Sequence, residues 1–249
     1  MAFWTLYKRE VNSYFFSTIA YLVLFASAVT VGCYFSLTFN AMLEKDFRQY
    51  TVLQGSVIGF FFWLMLIIQV PLVTMRSFSE EFKMGTIEML LTAPVREWEV
   101  VLAKYFGALT FFCVLWLPLL ADVLAVHFAS GGKIVILWPA TAVTFAGIAL
   151  FGIFYVAIGI FTSALTKNQI IASILSFSFI FLGFSLGFVS YLSQAESIKN
   201  ALGYFSGIEQ MDSFARGLLD SRPVVFYTSG AAFFLFLTQR LLQARRNKA

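Results

Sequence analysis

Few residues in this chain combine the types and spacing that chemistry requires. Gly183-Phe184-Ser185-Leu186-Gly187 spells G-x-S-x-G, the pattern of a nucleophile elbow. That motif works only on a strand-to-helix turn with a histidine and an acid in reach. Here it falls inside an apolar run, where small residues let helices approach closely, and packing is the better reading. The only histidine, His127, lies elsewhere in the chain. Gly131-Gly132-Lys133 is the nearest string to a phosphate-binding loop, but it lacks the G-x-x-x-x-G-K-[ST] spacing and runs on into Ile134. The chain is therefore expected to bind no nucleotide cofactor itself. Cys33 and Cys113 form no C-x-x-C pair and sit in apolar runs, which reads as packing rather than metal binding. Asp122 is the single acid inside an apolar run. Such a charge is costly in lipid and marks a candidate translocation pathway, unless its position five residues before His127 brings it to the hydrated outer interface.

The elements that must carry these residues are set by composition. Of 249 residues, 60% are hydrophobic and 12% charged, whereas soluble domains carry about 25% charged residues. Too little polar surface remains to coat a soluble particle, so the solvent is lipid. A span needs about 20 apolar residues, and in lipid the backbone must satisfy its own hydrogen bonds. Continuous rather than alternating apolar runs favour helices over a barrel. The fold class expected is an all-α polytopic membrane protein with six transmembrane helices, over about 15–39, 57–75, 105–126, 134–165, 170–192 and 224–242. Together they form a single transmembrane domain, 1–249, without an internal repeat. Ala26-Ser27-Ala28 resembles a signal-cleavage site, but the run stays apolar to Phe39 and is read as a retained span. The 31 phenylalanines read as packing and lipid-facing filler, and name no substrate.

Lysine and arginine set the orientation, because cytoplasmic loops hold the excess. With the N-terminus inside, 11 of the 17 basic residues are cytoplasmic, among them Lys8, Arg9, Arg76, Lys83, Arg96 and Lys104. Six spans then return the C-terminus to the cytoplasm, where Arg245-Arg246-Asn247-Lys248 forms a basic anchor. The pI of about 9.1 thus reads as topology and not as nucleic-acid binding. Residues 2 to 12 set Phe3, Trp4, Tyr7 and Val11 against Lys8, Arg9 and Glu10, as in a short amphipathic helix along the inner interface.

The longest cytoplasmic stretch, 76–104, is also the most charged. Ser77 and Glu80 have capping-box spacing, and Glu80 and Glu81 suit the positive end of a helix dipole. Gly85 permits a break, Thr86 can cap a second short helix through Glu88 and Leu91, and Pro94 stops it. The expectation is a helix–break–helix element with Ile87, Leu90 and Leu91 as its apolar edge. The external segment 193–223 reads as an amphipathic helix with Asp212 and Arg216 paired at i,i+4.

The wording Glu80-Glu81, then Gly85-Thr86-Ile87-Glu88-Met89-Leu90-Leu91-Thr92-Ala93-Pro94, resembles the loop between the second and third spans of type-2 ABC transporter permeases. Phe214-Ala215-Arg216-Gly217-Leu218-Leu219-Asp220-Ser221-Arg222 is most similar to the gliding-motility-associated branch. The resemblance implies a permease subunit of an ATP-driven transporter, not itself an enzyme. The class mostly exports and works in a bacterial cytoplasmic (inner) membrane as a multi-pass dimer, with a second copy or a paralogue. It also implies a separate cytoplasmic ABC ATPase that holds ATP-Mg, and places Glu80, Glu81, Gly85, Thr86, Glu88, Leu91 and Pro94 in the region coupling that ATPase to the spans. From the residues alone two rivals stay open: a stand-alone secondary transporter, which needs a coupling-ion site, and an intramembrane serine protease built on Ser185.

Overall fold

The computed structural model describes residues 2–44, 52–87, 96–129, 136–192 and 205–246. These residues form helices and no strand: α1 (Ala2–Phe15), α2 (Thr18–Glu44), α3 (Val52–Ile58), α4 (Phe60–Thr74), α5 (Ser79–Met84), α6 (Glu97–Leu115), α7 (Leu117–Ala129), α8 (Trp138–Leu165), α9 (Gln169–Leu192), α10 (Gly207–Ala215) and α11 (Ser221–Arg246). Among the described residues six stretches are long and apolar enough to cross a membrane: Thr18–Ala41, Phe60–Met84, Glu97–Ala129, Trp138–Leu165, Gln169–Ser190 and Ser221–Arg246.

The spans are not uniform rods, and their breaks were not foreseen. The apolar run from Phe15 is divided, since Phe15 ends α1 and α2 begins at Thr18. The expected second span, from 57, is divided at Gly59 between the end of α3 and the start of α4. The third is interrupted at Trp116, just before Pro118, which lacks the N–H needed to continue the ladder. Its 33 residues would reach about 50 Å at 1.5 Å each, well beyond a hydrocarbon core of about 30 Å. The surplus is at the Glu97 end, so the segment 76–104 is a loop only in part.

α8 is the central helix and packs against α4, α6, α9, α10 and α11. Aromatic side chains fill the joints. Trp63 of α4 meets Phe151 edge-on at 5.2 Å between ring centroids, and Phe154 is enclosed by Phe226, Tyr227 and Phe234 of α11. Such pairs contribute about 0.5–1.5 kcal/mol beyond area burial, which matters where lipid supplies no hydrophobic drive between helices. The amphipathic helix before the last span is α10. Its Asp212–Arg216 pair forms at 2.7 Å, while Ile208, Met211 and Phe214 are buried, so α10 closes one end of the bundle. Few residues of α2 and α9 are buried. Cys33 and Cys113 are exposed as well, so the expectation that they are packing residues is corrected.

Both chain ends lie at the same end of this bundle. Arg246 reaches Glu97 at 2.6 Å, Arg245 donates to the Leu165 carbonyl at 3.2 Å, and α1 lies along α6.

Candidate functional site

Where α1, α5 and α6 meet, Glu81 and Lys104 of the 76–104 segment come together with Arg9 and Glu10 of α1. α1 is amphipathic and lies close to α6, because Gly107 offers no side chain there. A Cβ at that position would stand 2.9 Å from Glu10 Cβ, inside normal van der Waals separation. Tyr7 OH and Thr110 Oγ1, 2.9 Å apart, fix the register. One turn before Gly107, Lys104 donates to Glu10 at 3.1 Å and to Glu81 at 2.8 Å. Its side chain is 4% exposed, against 13% for Glu10 and 18% for Glu81. Arg9 flanks both acids, at 3.2 Å from Glu10 and 3.7 Å from Glu81. A nearly buried ammonium shared by two carboxylates is favourable only while all three remain, because removing one leaves an uncompensated charge. Lys104 therefore ties α1 and α5 to α6 at one atom.

α5 carries Glu80 and Glu81 in its first turn and ends at Gly85. Gly85 has φ +72°, a left-handed geometry that glycine adopts without a Cβ penalty. Nothing stands within 4 Å of where its Cβ would be, so backbone conformation alone selects glycine here. The expected capping box is corrected. α5 starts at Ser79, and Ser77 instead shares its hydroxyl with Tyr14 OH at 3.3 Å. The cap comes from a distant span. Ser163 Oγ on α8 accepts the N–H groups of Phe78 at 3.0 Å and Ser79 at 3.2 Å, and its own hydroxyl donates to the Met75 carbonyl at 3.3 Å. Those are orphan donors of a helix start. Their satisfaction by α8 fixes α5 to the centre of the bundle.

Two further links hold the other sides. Tyr14 of α1 donates to the Val73 carbonyl at 3.1 Å, at the end of α4. Burial, chiefly, together with the nearby Glu10 charge, pushes its phenol well up, with the Ser77 bond opposing. Tyr14 thus stays a neutral donor at any physiological pH. On the far side, the Arg245 guanidinium lies 4.2 Å from the ring centre of Phe82, a cation–π contact between α11 and the buried face of α5.

Glu80, Glu81, Gly85 and Thr86 are thus gathered on α5 and its exit. Thr86 directs its hydroxyl back to the Glu81 carbonyl at 3.5 Å, and Ile87 is buried, as expected of the apolar edge. Glu88, Leu91 and Pro94 lie outside the described residues. Asp122 is remote from this cluster. It is half-buried on α7 opposite Gly32 of α2, and its Oδ2 is buried without a hydrogen-bond partner. Ser185 lies within α9 and not on a strand-to-helix turn, so the nucleophile-elbow geometry is not formed. The sequence reading missed Glu10, Tyr14, Lys104 and Ser163. Lys104 had a usable signal as a single charge among apolar neighbours, whereas Glu10, directly after Lys8 and Arg9, read as part of a charged face. Ser163, one hydroxyl among many in an apolar helix, had none.

The architecture of the described residues, a helical bundle with six stretches able to cross a membrane and a charged helix tied to α1, α6, α8 and α11, is that of a polytopic membrane protein. Residues 17–183, more than half of the chain, match the family model described as ABC-2 family transporter protein, and the chain belongs to that family. No curated protein matches it. It is accordingly the membrane permease subunit of an ABC transporter.

Proposed function

We infer that this permease is driven by a separate cytoplasmic ATPase seated against α5 and the residues that follow it, and that it works as a dimer in a bacterial inner membrane. ATP-Mg belongs to the partner. Closure of the ATPases pushes on α5, and the push spreads to α6 and α1 through Lys104 and to α8 through Ser163. The observation that carries this reading is Lys104 Nζ, held at 3.1 Å from Glu10 and 2.8 Å from Glu81. A mere connecting loop has no need of a nearly buried ion cluster joining it to two other helices. The basic residues at both chain ends, at the same end of the bundle as α5, support cytoplasmic termini. Export is the direction inherited from the class. The wording of residues 214–222 supports a neighbourhood near the gliding-motility branch.

The test is ATP hydrolysis by the cognate ATPase reconstituted with the permease in lipid discs. Glu88→Lys and Gly85→Pro should each abolish permease-dependent stimulation while the spans stay inserted. Stimulation equal to wild type in both variants would remove α5 and its exit from the coupling role.

A further inference from the structure

The charged junction borders a cleft of about 830 Å³ between α1, α2, α4 and α5, large enough for a lipid headgroup and the upper part of its chains. Its walls are divided by polarity. Ile19 and Val23 of α2 and Leu72 of α4 supply an apolar side, and the rim carries Arg9, Arg76, Lys104, Glu10, Glu80 and Glu81. Ile19 and Leu72 are also exposed on the outer surface of the bundle, so the apolar side opens sideways, toward where acyl chains lie. Met84, 62% exposed, borders the cleft at the end of α5.

The rim charges are not equivalent. Lys104, Arg9, Glu10 and Glu81 neutralise one another in the cluster described above. Arg76 and Glu80 are half-buried and have no ion-pair or hydrogen-bond partner among the described residues, and Arg76 Nε is buried with none. The cleft thus presents one guanidinium and one carboxylate, both unspent, above an apolar slot. A half-buried guanidinium left without an acceptor is costly, and a phosphate is its best-matched acceptor. A carboxylate beside it repels a purely anionic ligand but favours one that also carries an ammonium. We propose that this cleft binds a zwitterionic inner-leaflet phospholipid with a primary ammonium, of the phosphatidylethanolamine type. The phosphate pairs with Arg76, the ammonium with Glu80, and the acyl chains pass along Ile19, Val23 and Leu72. The lipid then sits between α1 and the α4–α5 corner and fills the gap across which these elements transmit force. This rests on the cytoplasmic placement of α5 proposed above.

The experiment is native mass spectrometry of the full chain in mild detergent, with palmitoyl-oleoyl phosphatidylethanolamine or the matching phosphatidylglycerol added. Wild type should retain the ethanolamine lipid about tenfold better, the worth of one charge-assisted bond. Glu80→Gln should erase that preference. Arg76→Gln should weaken retention of both lipids, and Arg76→Lys should restore part of it, which separates lost binding from lost folding. Equal retention of the two lipids by wild type, or retention unchanged in Arg76→Gln, would overturn the site. Capture of the ATPase is measured on the same samples. Absence of a lipid preference in wild type with ATPase capture intact counts against the lipid site alone. Lipid preference without ATPase capture counts against the coupling assignment.

Discussion

Lys104 is the residue on which the coupling region depends most, and its environment makes the consequence of losing it calculable. Lys104→Met keeps the length and apolar stem but leaves Glu10 and Glu81 facing each other with only the more exposed Arg9 between. Breaking a buried pair costs about 3–5 kcal/mol. With the acids partly exposed and Arg9 retained, a loss of about 2 kcal/mol is expected. Thermal unfolding in mild detergent should show it, and Lys104→Met combined with Glu81→Gln should be less destabilised than the single variant. Equal destabilisation of the two would mean the ion cluster is not what Lys104 supports. Ser163→Ala is a milder change. It strips the cap from α5, at about 1 kcal/mol for a lost N-cap. Hydrogen exchange over residues 78–84 should quicken while the global melting temperature stays put. Unchanged protection there would show that α5 is held by other means.

At the scale of elements, sequence and structure part company in instructive places. The existence of α5, its stop at Gly85 and the buried Ile87 were legible, because a left-handed exit and an apolar edge are local properties. Its cap was misread. Ser77 has the right spacing to Glu80, but spacing cannot reveal that Tyr14 would take the Ser77 hydroxyl and that Ser163, 85 positions away from Phe78, would supply the acceptor. The breaks at Gly59 and Trp116 were hidden for a related reason. Apolar residues continue through both, and hydropathy does not register a helix that stops and restarts. The backbone geometry at Gly85 supports a graded prediction. Gly85→Asn should be tolerated, since asparagine visits the left-handed region, whereas Gly85→Val should cost about 1–2 kcal/mol of local stability. Limited proteolysis of the 76–96 segment should rank them in that order. Equal sensitivity would mean the positive φ is not maintained.

For the whole molecule, composition alone sufficed to read six spans and an all-helical bundle, because a chain this apolar has few ways to satisfy its backbone. Composition could not place α10 in the bundle, since its burial depends on Trp63 and Phe151 meeting Gly207, a contact between residues far apart in sequence. Nor could it bring both chain ends to the α5 end, which rests on Arg245 and Arg246 reaching Leu165 and Glu97. The topology that follows is testable: reporters fused at either terminus should be active only when cytoplasmic, and a reporter inserted near Gly132 only when external. A cytoplasmic signal at Gly132 would break the six-span account.

The central claim is that α5 and its exit engage a separate ATPase. Its most direct test is purification of the tagged chain in mild detergent from its native host, with the co-purifying proteins identified and assayed for ATP hydrolysis. The account predicts a stoichiometric soluble ATPase that is lost in Gly85→Pro while the variant remains inserted and monodisperse. Recovery of the wild-type chain alone, from membranes in which it is active, would contradict it.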